Sequence, residues 1–185
     1  MNPETPNEPL DFIKKRFYDL VDNNDSIVTT GTKEDARNLR LFTRSVHILL
    51  ENQKGQILIC KRPYRKKSYG GQITSSAGGH VEQNETYEKA AKRELKEELK
   101  IDPRLIDAGR FDVISKKERT LHRLFIGRIS DENNIDVDAS EISSYWFARP
   151  LDIQEDLREH PRKYAKPFHQ ALAKYLGRRK LAEFS

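Results

Sequence analysis

The chain has 185 residues, 36% hydrophobic and 34% charged, which fits one domain with an ordinary core and excludes wholesale disorder. No apolar run is long enough to cross a bilayer, the first residues lack a secretory pattern, and the single cysteine, Cys60, excludes an internal disulfide or a cysteine-built zinc site. The formal charge of +5 is unevenly placed, since residues 161–185 hold seven basic residues and one acidic, and the first 160 hold 27 basic against 28 acidic.

Residues 1–10, with three prolines and two glutamates, read as a disordered leader. Residues 17–21 and 26–30 are β-prone runs around Asp22-Asn-Asn-Asp25, the pattern of a hairpin. Residues 41–51 alternate, with Val46, Ile48 and Leu50 on one face, and Asn52-Gln-Lys-Gly55 is a turn. Residues 56–61 suit a strand buried on both faces. After a stretch punctuated by Gly70, Gly71, Gly78 and Gly79, residues 86–99 read as a helix. Thr86 is its N-cap, and Ala91, Leu95 and Leu99 form a narrow buried stripe. Further strands are expected at 109–114, 120–129 and 142–148.

Two helices close the chain. Asp152, with Glu155 three residues on, is expected to cap the first; the second runs from Pro167 to a stop at Gly177. Phe168, Ala171, Leu172, Tyr175 and Leu176 fit one face of that last helix, so it should dock on the domain. Trp146 and Cys60 are expected in the core, and His122 and His169 read as ordinary residues. The domain then spans residues 11–177, with 178–185 a basic tail. Strands and helices mix without strict alternation, which predicts an α/β fold with helices packed on a mixed sheet.

The chemistry is concentrated on the predicted helix. Glu94, Glu97 and Glu98 stand at i, i+3 and i+4, so three carboxylates share one face and repel one another. A hard divalent cation such as Mg²⁺ turns that repulsion into binding. Arg93 lies beside this face, where a guanidinium can orient a carboxylate. A solvated helix rich in Glu and Lys is the plainer reading, and the spacing upstream decides against it. Residues 79–101 resemble the Nudix box, G-x5-E-x7-R-E-U-x-E-E-x-G-U with U a bulky aliphatic residue. Gly79, Glu85, Arg93, Glu94, Leu95, Glu97, Glu98 and Ile101 fall on it without a gap. Lys100 stands where the family usually has glycine, just past the helix, where a left-handed backbone is costly for lysine.

The resemblance implies a Nudix-type α/β/α sandwich with a mixed β-sheet and Mg²⁺-dependent attack of water on a diphosphate linkage, with Mn²⁺ as an alternative cation. It implies Glu94 and Glu98 as principal metal ligands, Glu97 as a ligand or a base for water, and Glu85 and Arg93 as braces. Gly79 and His80 fall beside the substrate.

Upstream, Lys61, Arg62, Arg65, Lys66 and Lys67 put five cations in seven residues, the composition of a diphosphate clamp. The run Arg62-x3-Lys66-x2-Tyr69-Gly70-Gly71, leading to Gly78-Gly79-His80, is similar to the isopentenyl-diphosphate-isomerase-like branch of the Nudix superfamily. In that branch Arg62 and Lys66 would hold the substrate diphosphate. Isomerases of this branch use a catalytic cysteine whose place, counted from Arg62, is held by Ala77, so isomerase chemistry is disfavoured. Glu118, the carboxylate of a later segment, is a candidate base or additional ligand. The expectation is therefore a cytoplasmic hydrolase acting on a nucleoside diphosphate derivative or similar small diphosphate, with homo-oligomers left open and no membrane partner. A nucleic-acid reading would rest on the basic C-terminus alone, with no RRM, KH or zinc-finger pattern to support it.

Overall fold

A computed structural model describes residues 16–115, 118–130 and 135–183, so the expected leader lies outside the described residues. The expected hairpin is formed by β1 (Tyr18–Val21) and β2 (Ile27–Gly31), paired antiparallel. Asp22 shapes its turn by accepting the backbone N–H groups of Asn24 (2.8 Å) and Ser26 (2.9 Å). Next comes a short helix that the sequence pattern does not announce, α1 (Lys33–Asn38). It starts from a reciprocal cap in which Thr32 Oγ1 accepts Asp35 N–H (3.2 Å) and Asp35 Oδ2 accepts Thr32 N–H (2.8 Å).

The main sheet begins with β3 (Thr43–Glu51), β4 (Ile57–Lys61), β5 (Ile73–Thr74) and β6 (Ala77–His80). After α2 (Tyr87–Leu99) it is completed by β7 (Leu105–Ile114), β8 (Arg119–Arg128) and β9 (Ser144–Ala148). β3 runs parallel to β8 and antiparallel to β6, and β4 lies between β5 and β9. β3 and β4 pair at Glu51 opposite Ile57, beside their turn, and β6 takes up the rest of β3's edge. Ser76 ties the strands together there: its Oγ donates to Leu58 O (2.7 Å) and accepts Leu50 N–H (2.9 Å).

Strand alternation builds two cores. Val46, Ile48 and Leu50 of β3, with Leu58 and Cys60 of β4, pack against Ala90, Ala91, Leu95 and Leu99 of α2. Leu49, Ile57 and Ile59 face the opposite way, onto α4 (Lys166–Glu183), where Phe168, Ala171, Leu172 and Tyr175 meet them. Each large side chain removed from water here contributes about 1.5–3 kcal/mol. The result is an α/β/α sandwich around a mixed sheet, as expected.

Five local expectations are corrected. α3 (Pro150–Glu159) starts two residues before Asp152, because proline at the first helical position needs no N–H partner; Asp152 instead accepts Arg149 Nε–H (2.7 Å). α4 continues through Gly177, which is not among the residues with positive φ and so does not act as a stop. Trp146 lies on β9, an edge strand, and is 38% exposed rather than closing the core. β7 begins four residues early, because a bulge between Asp107 and Gly109 (φ +94°) lets pairing with β8 continue beyond it. β9 in turn begins two residues late.

Candidate active site

The carboxylate face of α2 is set by the helix's own start and stop. Thr86 caps it by accepting Lys89 N–H (3.3 Å), and Lys100 ends it in the left-handed conformation (φ +57°). Between these ends Ala90, Ala91, Leu95 and Leu99 are anchored in the core, which turns Glu94 and Glu98 toward the Gly78-Gly79 edge of β6. A Cβ at Gly79 would stand 2.1 Å from Glu94 Oε1, so only glycine lets that carboxylate lie against the strand. Glu98 Oε2 accepts Gly78 N–H at 3.3 Å.

Arg93 joins the box. It donates to both oxygens of Glu85 (2.9 and 3.0 Å), to Glu94 (2.8 Å), to Glu97 (3.3 Å) and to the His80 carbonyl (3.0 Å). Glu85 also accepts Glu82 N–H (2.9 Å), so the loop before α2 is pinned to the helix. Although burial works to raise the Glu85 pKa, these donors outweigh it and hold the carboxyl below its ordinary range. Glu94 and Glu98 differ: burial comes first and pushes both up, against the pull of Arg93 at Glu94, while at Glu98 the nearby carboxylates add to it and take it to about 8. Glu97 is 58% exposed at the rim.

Across from the helix stands the cationic loop. Arg62 and Lys66 both reach Glu141, Lys66 Nζ at 2.6 Å from Oε1 and Arg62 Nη2 at 3.9 Å from Oε2. Sequence reading missed Glu141. It lies on the segment that precedes β9, which is fastened to the end of α2 by Asp138 N–H to Glu98 O (2.9 Å) and to β4 by Ser143 N–H to Lys61 O (2.8 Å). Its charge also adds to the pressure on Glu94 and Glu98. Glu94, Glu97, Glu98 and Glu141 thus share one opening with Arg62 and Lys66, among further charged groups of both signs, and the signal for Glu141 in the sequence was an isolated Glu after a turn.

The opening leads into a cavity of about 830 Å³ lined, besides Arg62, Lys66 and Glu98, by His47, His80, Glu118 and His122. Glu118 Oε2 accepts the Tyr69 hydroxyl (2.8 Å). Burial opposes its ionisation, but His122 and Tyr69 outweigh that and hold it below the ordinary carboxylate range. His47 lies well below an ordinary histidine, and His80 is pushed down to about 3; burial comes first in both, then neighbouring positive groups. Both rings are neutral near pH 7. Cys60 donates its thiol to Ser76 O (3.2 Å), and burial with nearby Glu98 pushes its pKa up.

The model of the NUDIX domain family matches residues 41–168, most of the chain and all of this site except the edge supplied by the N-terminal hairpin and α1. The chain belongs to the Nudix hydrolase family. As a Nudix hydrolase it is an enzyme of the pyrophosphohydrolase class. It is 34% identical over 157 residues to an uncharacterized Nudix hydrolase of Pseudomonas aeruginosa, covering 84% of this chain and 90% of that one. An isopentenyl-diphosphate delta-isomerase of Photorhabdus laumondii is 28% identical over 158 residues, covering 83% and 88%. A crystal structure of a Deinococcus radiodurans protein superposes with a TM-score of 0.71 at 23% identity, covering 86% of this chain and 97% of that one, which shows a shared fold.

The site gathers Arg62, Lys66, Gly79, His80, Arg93, Glu94, Glu97, Glu98 and Glu118 around one cavity system, with Glu85 bonded to Arg93 behind it. His122, read from sequence as ordinary, is in its wall. No helix among the described residues is long and apolar enough to cross a membrane.

Proposed function

We propose that this Nudix enzyme is a Mg²⁺-dependent hydrolase that cleaves the diphosphate linkage of a nucleoside diphosphate derivative or a similar small diphosphate. One observation carries the reading: Glu94 and Glu98 are buried side by side against Gly78 and Gly79, opposite Arg62 and Lys66. Among the described residues no three His, Cys, Asp or Glu side chains stand as a ready-made ligand set, since Arg93 engages Glu94 and Glu97. The donor chemistry still fits a hard divalent cation. The ligands offered are carboxylate oxygens: Arg93 pairs with Glu94 (2.8 Å), while Glu98 is pushed up by burial and by the neighbouring Glu94 and Glu141 carboxylates, a strain that a divalent cation would relieve. Glu94 and Glu98 would hold the cation, with Glu97 at the rim as a further ligand or a base; Mn²⁺ would serve the same donors.

When bound, the cation supplies charge neutralisation at the diphosphate oxygens. The chain's own groups do the rest. Arg62 offers a bidentate fork and Lys66 a point charge to the phosphates. Gly79 and His80 form the wall beside them. Glu118, whose carboxyl is held below its ordinary range, would accept a proton from water or add a ligand.

Two competing readings fit less well. Ala77 stands at the place of the isomerase cysteine, while Cys60 is on β4 with its thiol engaged by Ser76. Phe168 and Tyr175 are buried under the sheet, so the C-terminal helix does not present them for stacking on nucleic acid.

The test is phosphate or nucleotide release from nucleoside diphosphates, diphosphate sugars and prenyl diphosphates, with and without Mg²⁺. Chelation should abolish release, and Glu98→Gln should lower it by two to three orders of magnitude, roughly the loss of one essential electrostatic group. Release that survives both unchanged would overturn the proposal.

A further inference from the structure

Seven cations and three carboxylates line the cavity, and the diphosphate reading uses only part of that charge. Arg62 and Lys66 share Glu141, and Glu98 belongs to the carboxylate face of α2. Arg93 and Lys100 stand on that same side, Arg93 held by Glu85, Glu94 and Glu97. Arg16, Lys33, Arg37, Lys67 and Arg119 remain in the cavity wall, with Glu118 as the carboxylate left among them. Glu118 already accepts the Tyr69 hydroxyl (2.8 Å). Among the described residues none of the five cations stands within ion-pair distance of a carboxylate.

Local folding brings these charges to one end. Lys33, Ala36 and Arg37 stand at i, i+3 and i+4 on α1, and all three border the cavity. Ala36 is buried and anchors that face, and its carbonyl accepts Leu41 N–H (2.9 Å), which ties the end of α1 to Phe42. One residue on, Thr43 stands opposite Thr120 of β8, and the Arg119 guanidinium lies over the Phe42 ring at 4.4 Å. Stacking fixes the plane of that guanidinium, whose buried Nε has no hydrogen-bond partner among the described residues. Lys67 joins them from the loop after β4. Like charges at one opening repel, and Lys33 registers it. Burial comes first in pushing its pKa down, Arg16 adds to that, and Glu118 opposes it. A bound anion turns such repulsion into affinity. Arg16, Lys33 and Arg37 all precede residue 41, where the match to the NUDIX domain begins, so this wall is an addition to the family core.

We propose that Lys33, Arg37, Lys67 and Arg119, with Arg16 beside them, form a second anion subsite, and that it takes a phosphate monoester carried on the organic group of the diphosphate. The assignment rests on the diphosphate reading of the Arg62 and Lys66 side of the cavity. A phosphate monoester brings close to two negative charges and three acceptor oxygens, which suits side chains that only donate. A carboxylate brings one charge at most, and an uncharged group leaves the cations facing one another. The substrate class is thereby narrowed to small diphosphates that carry a further phosphate away from the scissile linkage.

Equilibrium binding by calorimetry, with Mg²⁺ present, tests it without turnover. The probes are alkyl methylene-diphosphonates of graded chain length whose far end is either a phosphate or a hydroxyl, with inorganic pyrophosphate as the control. At one chain length or more, the wild type should bind the phosphate-ended probe about tenfold more tightly than its hydroxyl-ended twin, the scale of one charge-assisted contact. The double variant Lys33→Gln and Arg37→Gln alters two exposed side chains of α1. It should remove most of that gain and weaken pyrophosphate by less than about threefold, the scale of one exposed ion pair. The charge-keeping pair Lys33→Arg and Arg37→Lys should restore it. No gain at any chain length overturns the inference, and that measurement needs no variant. An equal loss for pyrophosphate overturns it too, since the cations would then attract any anion alike. Inorganic phosphate added to the pyrophosphate-loaded protein separates a free anion from one carried on the substrate. If it binds through Lys33 and Arg37 while no phosphate-ended probe gains, the claim about the substrate falls. If phosphate-ended probes win but no diphosphate is hydrolysed, the subsite holds and the hydrolase proposal falls. Hydrolysis without that preference keeps the hydrolase proposal and removes the subsite.

Discussion

Glu141 shows how a single charge ties the two sides of the site together. Lys66 and Arg62 are cations suited to an anionic substrate, yet within the chain both pair with this one carboxylate, at 2.6 and 3.9 Å. The pair is partly exposed, so its own contribution to stability is small. Its effect on binding is larger, because an incoming diphosphate must displace an intramolecular competitor. Glu141→Gln keeps the shape and removes that competitor. Competitive inhibition by pyrophosphate should then tighten by about threefold to tenfold, the scale of one weak ion pair. A weaker inhibitor instead would make Glu141 a cation ligand rather than a counterion to the loop. Gly79 sits at the same scale with the opposite logic: a methyl group there would occupy the space of the Glu94 carboxylate and displace it from the strand.

At the scale of elements, α2 does most of the positioning, and its stop is the one place where its sequence works against it. Lys100 adopts φ +57° and ψ 29°, a conformation that costs a residue with a Cβ about 1 kcal/mol. Its Nζ donates back to Glu97 O (2.8 Å), an exposed bond that offsets little of this. Lys100→Gly should therefore raise unfolding free energy by about 0.5–1 kcal/mol in urea melts while leaving hydrolysis intact. The same helix explains what was legible beforehand. Cap, buried stripe and carboxylate spacing are all local, so α2 and the box could be read from a contiguous run. β5 and β6 could not, because Ile73-Thr74 and Ala77-Gly-Gly-His80 have no strand pattern of their own and exist as strands through partners on β4 and β3. α1 is too short for a periodicity to show, although Thr32 and Asp35 carried its cap. Glu141 and His122 enter the site through strand register and loop attachment, which sequence spacing does not reveal; Glu118 was named beforehand only as the carboxylate of a later segment. His122 looked ordinary because the rings that hold it, Phe111 and His47, lie on two other strands.

At the scale of the whole molecule, the net charge of +5 separates into parts with different work. The first turn of α4 borders the cavity through Pro167, with Ala165 just before it. About three turns further along, Arg178 donates to Asp107 O (3.0 Å) and Arg179 to Gly55 O (3.3 Å), at the start of β7 and the β3–β4 turn. That separation is about 18 Å along a helix, more than twice the screening length of about 8 Å at physiological salt. The basic end of the chain is therefore electrically remote from the diphosphate, and its contacts serve to fasten the helix end to the sheet. The combined variant Arg178→Gln and Arg179→Gln should keep kcat/KM within about twofold and cost about 1 kcal/mol or less, as exposed contacts do. Phe168 is the contrast. It is fully buried beneath the sheet and stacked on Tyr164 (5.7 Å, 10°), one residue from the cavity wall. Phe168→Ala should cost about 3–5 kcal/mol and lower activity together with the melting temperature, because the helix start that borders the cavity loses its anchor. A drop of about tenfold or more in kcat/KM for the arginine pair, with stability unchanged, would place the basic end in substrate handling and undo the separation. If instead only Phe168→Ala disturbs turnover, the charge that matters is the pair of cations facing α2, and the excess at the C-terminus belongs to the scaffold.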